Sequence, residues 1–314
     1  MKVSISSMDV LGSTIFLGKV GKLSDLYLLF HASERGEGVI VVFDNYEKET
    51  TKAPEQKRRK GDAPSVSVIV KMDTAIPTDR KKFLTCKQNK QKLIDMFSFH
   101  LQQEGVMVKH ALEDGDADTM IVQQALDKAK DMNVAVHSVD TDVFNPLVYH
   151  FDMNGKSIIM TTRKGLCAIK IIATALDQDL RSCLLIAHAM SGCDAVSATF
   201  GMGKVKVFNK LKESPNWRSK LQKLLDDDIS VDEMVGLGEE FYIQLYGKIA
   251  TKATTLDQVR EIMYNLPKYI PITRMPPTSR AFRFHMLRIY LQVSTWKHLK
   301  SILDAENYGF YKDV

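Results

Sequence analysis

Four short apolar stretches, separated by amphipathic ones, dominate the first two thirds of the chain. The clearest covers residues 38–43 and ends in Asp44. Its apolar residues are continuous rather than alternating, which is typical of a strand buried on both faces of a parallel sheet. Similar stretches lie at residues 106–108, 133–139 and 158–160. We predict a strand at each.

Apolar residues at helical spacing fill most of the intervals between these strands. The helices predicted for this part of the chain are 23–31, 88–104, 118–131, 166–175 and 180–190. Strands that alternate with helices indicate an α/β fold with a mostly parallel, twisted sheet between helices.

Two further regions depart from this alternation. Residues 45–85 are polar, basic and interrupted by proline and glycine, so they are predicted to form a long loop or arch. Beyond residue 203 the pattern is almost wholly helical, with predicted helices 204–212, 217–225, 231–246, 256–266 and 279–305. We therefore predict an α/β core over residues 1–200 and a helical region over 201–314.

Composition is that of an ordinary folded protein, and the position of its positive charge says more about a partner than the mildly basic total. The 314 residues are 45% hydrophobic and 26% charged, with a net charge of +5. Positive charge is concentrated at residues 57–60, within the predicted arch. The four cysteines lack metal-site spacing, which favours reduced thiols in an intracellular protein. No apolar run is long enough to span a bilayer, and no membrane partner is expected.

Acidic residues follow the predicted strands, where open α/β sheets form their binding sites. Asp44 ends one strand, Asp140 and Asp142 end another, Asp116 and Asp118 open a helix, and Asp194 follows a turn of small residues. An Asp-x-Asp pair in extended backbone directs both side chains to one face, where they suit hard cations such as Mg²⁺. The alternative is structural, because an acid at a helix start commonly caps the helix.

In this order, the residues resemble the flap-endonuclease/XPG-like branch of the PIN-like nucleases. The resemblance rests on residues 41–44, the basic segment, both Asp-x-Asp pairs, residues 192–194 and residues 200–204. Residues 138–150, 187–204 and 239–247 look most like animal members of this superfamily, many of them transposon-associated. The resemblance implies a PIN-like three-layer fold, with a helix–hairpin element for the DNA backbone at the start of the C-terminal region.

The resemblance also implies a function and roles for individual residues. The expected function is structure-specific hydrolysis of DNA or RNA by two Mg²⁺ or Mn²⁺ ions, with branched or single-stranded-end DNA as partner. The metal ligands would be Asp44, Asp116, Asp118, Asp140, Asp142 and Asp194. The catalytic basic residues would be Lys52, Arg58 and Arg59. The nucleic-acid contacts would be Lys57, Gly201, Gly203, Lys204 and Lys206.

One expected ligand is ambiguous in the sequence. The family has an aspartate at the end of its first strand, and residues 3–9 can be aligned to place either Asp9 or Ser6 there. If Ser6 takes that position, the chain is a catalytically impaired nucleic-acid-binding or scaffold protein on the same fold. A metal hydrolase for small molecules is a third reading, which the long basic arch disfavours.

Overall fold

The computed structural model describes residues 14–19, 38–44, 51, 66–69, 79–111, 116–162 and 164–310. Residues 14–19 are described by their backbone. The chain forms two compact units, residues 1–175 and 176–314. The boundary between these units lies at residues 175–176, whereas the predicted core extends to residue 200.

The first unit contains the sheet. Within the described residues its strand order is β3-β2-β1-β4-β5-β6. The strands are β1 Thr14–Lys19, β2 Gly38–Phe43, β3 Met107–His110, β4 Asn133–His137, β5 Ile158–Thr162 and β6 Gly165–Ala168. All neighbours pair in parallel except β5 and β6, which are antiparallel. The predicted α/β fold with a mostly parallel sheet is confirmed.

Helices flank this sheet on both faces. In the described part of the first unit they are α1 Arg80–Thr85, α2 Lys87–Gln103, α3 Ala117–Lys128, α4 Thr141–His150 and α5 Ile169–Ala175. Alternate residues of β2 (Val39, Val41 and Phe43) pack with α2 in one apolar cluster. The residues between them, Ile40 and Val42, are equally buried. Because successive strand residues face opposite sides, both faces of β2 are covered, as in a three-layer fold.

Besides the central strand β1, which the apolar pattern did not predict, three elements of the first unit differ from their prediction. Helix α4 contains Pro146, which argues against a helix, yet it forms because it buries Val143, Leu147 and Val148. Strand β6 occupies residues where a helix was predicted to begin, because these residues complete a hairpin with β5. Helix α1 lies at the end of the predicted loop. The predicted helix 23–31 lies outside the described residues.

The second unit is helical, as predicted. Its described α-helices are α6 Gln178–Ser182, α7 Leu184–Met190, α8 Lys204–Glu213, α9 Pro215–Gln222, α10 Val231–Tyr246, α11 Leu256–Tyr264 and α12 Ser279–His298. Short 3₁₀ helices lie at Lys223–Leu225, Gly247–Ala250, Ile272–Arg274 and Ala305–Tyr308. Helix α12 ends earlier than predicted, because Leu299 takes a left-handed conformation at its C-terminus.

Helices α10 and α12 form the centre of this unit. Gly238 lies so close to Met286 that a side chain would displace the buried thioether. Trp296 and Phe282, both on α12, are also fully buried. In the described residues, no helix is long and apolar enough to cross a membrane.

Candidate active site at the sheet edge

Two of the predicted acids of the first unit, Asp44 and Asp140, follow strands whose carboxyl ends meet at one edge of the sheet. Strand β1 pairs in parallel with β2 on one side and β4 on the other, so the carboxyl ends of all three strands meet there. Asp44 follows β2 directly, and Asp140 follows β4 by three residues. Strands two positions apart are separated by about 10 Å. This edge is where an open α/β sheet places its ligand site.

Both Asp-x-Asp pairs stand at the start of a helix, as predicted for the first pair but not for the second. Asp116 is the N-cap of α3, and its carboxylate accepts the N–H of Asp118 at 3.3 Å. Asp140 is the N-cap of α4, and its carboxylate accepts the N–H of Asp142 at 3.0 Å. The second pair therefore opens a helix, rather than ending a strand. Both pairs have the same local arrangement, in which the first carboxylate caps the helix and the second lies in its first turn.

Burial separates these pairs from ordinary helix caps. Asp118 and Asp142 are only 1% and 5% exposed, whereas a capping pair on a protein surface stays solvated. Removing a carboxylate from water is costly unless charge or hydrogen bonds compensate for it. The positive end of each helix dipole supplies part of that compensation. Helices α3 and α4 also pack against each other, so both pairs belong to one region of the unit.

The donor type suits a hard divalent cation, since all these side chains offer carboxylate oxygens. Among the described residues, however, no three His, Cys, Asp or Glu side chains are close enough to hold one ion together. Glu113 and Asp114, next to Asp116 in sequence, lie outside the described residues. The described carboxylates therefore have the ligand chemistry that a divalent cation prefers, but they come together in twos rather than in a group of three or more.

A lysine that the sequence reasoning missed interacts electrostatically with the first acid. Lys90, in the first turn of α2, is partly buried and interacts electrostatically with Asp44. Burial lowers the pKa of Lys90, and the Asp44 carboxylate acts in the opposite direction. A partly dehydrated ammonium group next to a carboxylate can bind a second anion. The signal in the sequence was the pair Lys87 and Lys90 at helical spacing after the basic segment.

The central strand contains no acid over its described residues, Thr14–Lys19. Strand β1 ends at Lys19, which pairs in register with Val42, two residues before Asp44. It is the first strand that the structure describes, whereas the predicted first strand, residues 3–9, lies outside the described residues. Asp9 and Ser6 lie outside them too.

The predicted arch residues Lys52, Lys57, Arg58 and Arg59 also lie outside the described residues. Their catalytic and nucleic-acid-binding roles stay predictions.

Turn and helix of the second unit

Asp194 lies in the second unit, in a tight turn after α7. Gly192 has a φ of 97°, and a Cβ there would lie 2.7 Å from the Cβ of Ala198 and 2.8 Å from its Cα. Cys193 and Val196 exchange backbone hydrogen bonds across the turn. The turn holds Asp194 partly buried. The role of Asp194 as a metal ligand together with the acids of the sheet stays a prediction.

A buried polar network supports the start of this turn. The Tyr242 hydroxyl donates to the carbonyl of Met190, the last residue of α7. It lies 3.1 Å from Nε2 of His285, which donates to it if the neutral ring carries its proton there. Burial raises the pKa of Tyr242, and the Thr199 side chain hydrogen-bonds the same hydroxyl. The network thus links α10 and α12 to both ends of the segment that contains Asp194.

This network predicts an acid-sensitive fold. Burial, with a smaller effect from the positive charge of Arg288, lowers the pKa of His285 from 6.5 to about 4. The unfolded chain therefore takes up a proton between pH 6.5 and 4 that the folded chain does not. Stability is unaffected above pH 6.5 and is lost as the pH falls, by about 3 kcal/mol near pH 4. Urea unfolding from pH 7 to 4 measures this loss.

The matched variant for this measurement is His285→Gln, which stays polar but cannot take up a proton. Carboxylates titrate equally in both proteins, so the difference between the two pH profiles isolates His285. Parallel profiles for the native chain and the variant would contradict the assignment.

The predicted phosphate-binding element is at the start of α8. Gly201 has a φ of 74°, and a Cβ at Gly201 or Gly203 would meet nothing within 4 Å. Gly203 is the N-cap of α8, which has no side-chain cap and no acid in its first turn. Lys204 and Lys206 are exposed there. The first N–H groups of a helix and its positive dipole end favour an anion, so the local geometry suits phosphate.

Several solved structures are similar to the described fold. A bacteriophage T5 flap endonuclease in a product complex with DNA and metal ions is 12% identical, with a TM-score of 0.43 over 88% of this chain and 99% of that one. A second T5 structure, co-crystallised with metal ions, is 14% identical, with a TM-score of 0.42 over 88% and 99%. The catalytic core of Rad2 with a DNA substrate is 14% identical, with a TM-score of 0.40 over 89% and 93%.

No protein-family model and no curated protein sequence matches the chain. The structural neighbours come from the same flap-endonuclease and XPG-like group that the sequence resembles. At these identities and TM-scores, the residues of this chain must carry any argument about function.

Proposed function

We propose that the chain is a divalent-metal-dependent nuclease that hydrolyses phosphodiester bonds in DNA or RNA. The observation that carries this proposal is the burial of Asp118 and Asp142 in the first turns of α3 and α4, two helices that pack against each other. A helix cap explains Asp116 and Asp140, but it does not require a buried second carboxylate in each pair. Ionised carboxylates concentrated at one edge repel each other unless a cation is near.

The carboxylates would act by holding a cation against the substrate. Asp44, Asp116, Asp118, Asp140 and Asp142 would bind Mg²⁺ or Mn²⁺. A bound cation supplies Lewis acidity that neutralises charge on the phosphodiester and activates water. In the reaction, a water oxygen bonds to phosphorus as one ester P–O bond breaks, which leaves a phosphate on one strand end and a hydroxyl on the other. Two ions, with Asp194 as a ligand of the second, are the finer form of this proposal.

Lys90 would steady the negative charge of the phosphate. It interacts electrostatically with Asp44 and is partly buried, so its charge is less screened by water than that of a surface lysine. Charge stabilisation of this kind is commonly among the larger contributions to catalysis. The arch residues Lys52, Arg58 and Arg59 would add positive charge along the entering strand, with Lys57 beside them.

The experiment for this proposal is a panel of labelled flap, hairpin, single-stranded and duplex substrates of DNA and RNA, incubated with Mg²⁺ or Mn²⁺. We expect cleavage that requires the metal and is fastest at a junction or a single-stranded end. Failure to cleave any member of the panel with either metal would refute the nuclease proposal.

Lys90→Gln is expected to lower the cleavage rate about 100-fold, because it removes a charge from the phosphate site and leaves the fold intact. Lys90→Arg should restore part of the rate. Single-turnover cleavage of the best substrate measures both. The matched control is Lys92→Gln on the same helix, an exposed lysine that hydrogen-bonds Ser67 and Val68. An equal loss of cleavage rate in Lys90→Gln and Lys92→Gln would mean that the rate depends on the integrity of helix α2 and not on the charge of Lys90.

A second function is favoured by the end of β1. A nucleic-acid-binding or scaffold protein with an impaired metal site fits Lys19 at the carboxyl end of the central strand. It also fits the absence of any three-ligand group among the described residues. This reading predicts binding to the same panel without cleavage, and affinity that falls steeply with salt. Absence of all binding would refute it as well.

A further inference from the structure

Two segments of the second unit are basic and contain no acid. Residues 195–212 have four lysines and no Asp or Glu, and residues 265–303 contain arginine, lysine and histidine but again no Asp or Glu. Segments 53 residues apart in sequence need not meet in the fold. Where they do meet, the surface carries positive charge without internal neutralisation, which favours a polyanion.

The contact between these segments is an arginine over an aromatic ring. The guanidinium carbon of Arg274 lies 5.2 Å from the ring centroid of Phe200. Phe200 is 55% exposed, although most large apolar side chains of this unit are buried. We name Phe200 and Arg274 the aromatic–arginine pair. Phe200 lies three residues before Gly203, the N-cap of α8.

Both members of the pair are held on constrained backbone. Met202 is buried and its N–H donates to the carbonyl of Thr199, which fixes the turn around Phe200. Arg274 ends the 3₁₀ helix Ile272–Arg274, and its N–H donates to Pro271. The chain is also held two residues after Arg274, where the Arg260 guanidinium donates to the carbonyl of Pro276. A planar cation and a ring held in this way lose little freedom when they bind a ligand.

We propose that the aromatic–arginine pair stacks an unpaired base of a nucleic acid whose backbone runs along the start of α8. The inference rests on the proposed function, since it requires a nucleic-acid substrate, and it adds that the substrate has an unpaired nucleotide at this surface. Aromatic rings and guanidinium planes are the groups on which unpaired bases stack, while neighbouring lysines attract phosphates. An isolated exposed phenylalanine would be unremarkable. A constrained cation–ring pair formed by two segments that contain no Asp or Glu is a better match to a base.

The test is binding of the full chain to labelled DNA in the presence of EDTA, measured by fluorescence anisotropy. The probes are a blunt duplex, the same duplex with an oligothymidine overhang, and that overhang with abasic spacers. Phe200→Leu keeps apolar volume but loses the ring face. We expect it to weaken binding of the thymidine overhang about tenfold, and to change binding of the blunt duplex and the abasic overhang by less than twofold.

Two further variants separate stacking from other effects. Arg274→Lys keeps the charge but loses the plane, so it should weaken overhang binding without changing the salt dependence. Phe99→Leu, an equally exposed phenylalanine of the first unit, should change nothing. Equal weakening for all three probes, or no weakening in Phe200→Leu, would overturn the stacking proposal while binding by the native chain persists. If the native chain binds no probe, the proposed function fails together with this inference.

Discussion

Asp140→Asn combined with Asp142→Asn is expected to lower metal-dependent cleavage about a thousandfold, which corresponds to roughly 4 kcal/mol of lost transition-state stabilisation. Asparagine caps a helix as well as aspartate does, so α4 should keep its N-terminus. The double variant removes two negative charges, one of them buried, without removing the hydrogen bond between the cap and the Asp142 backbone. Single-turnover cleavage with saturating Mg²⁺ or Mn²⁺ measures the rate.

The matched control is Asp177→Asn, because Asp177 caps α6 by accepting the N–H of Leu180 and is not a predicted ligand. It should cleave at the native rate. Binding of the same substrate in EDTA should be unchanged or tighter in the double variant, since two like charges are removed from the phosphate's surroundings. Native-rate cleavage by the double variant would exclude these acids from catalysis.

Gly192→Ala is expected to lower the free energy of unfolding of the second unit by about 3 kcal/mol. Two effects combine at this position: a φ of 97° that an L side chain rarely adopts, and a Cβ forced within 3 Å of backbone atoms of Ala198. Ala198 cannot yield without moving the turn that carries Asp194. Thermal unfolding followed by circular dichroism should show a fall of roughly 10 °C in Tm.

Gly201→Ala is the control for Gly192→Ala. It has a similar positive φ, 74°, but a Cβ there meets nothing within 4 Å. It should therefore show only the conformational strain, about 1 kcal/mol. If both variants lose the same stability, the close approach of Ala198 does not constrain the turn. If Gly192→Ala is as stable as the native chain, the described turn is wrong.

The fold was largely readable from the apolar pattern. Continuous apolar runs such as residues 38–43 identify strands buried on both faces, and the structure has β2 there. The failures share one cause, which is that contacts distant in sequence overrule local preference. Helix α4 forms despite Pro146 because its apolar side chains are buried, and residues 165–168 pair with β5 rather than extending a helix.

The candidate site was readable in its residue types but not in its geometry. The order of Asp44, Asp116, Asp118, Asp140, Asp142 and Asp194 is a property of the sequence. Extended and helical backbone place an Asp-x-Asp pair differently, and the prediction that Asp140 and Asp142 end a strand was wrong, because they open helix α4. Lys90 was missed because a lysine in an amphipathic helix usually faces water. Its electrostatic interaction with Asp44 depends on how α2 packs on the sheet.

The sequence by itself determined the α/β class, the helical C-terminal region and the acids that follow the strands. These features depend on local periodicity and on residue identity, both of which are present before folding. Only the tertiary structure decided which acids are buried, that the central strand ends on Lys19, and that Phe200 meets Arg274. Each of these depends on strand register or on packing between distant segments, and register is set by the whole sheet rather than by one strand.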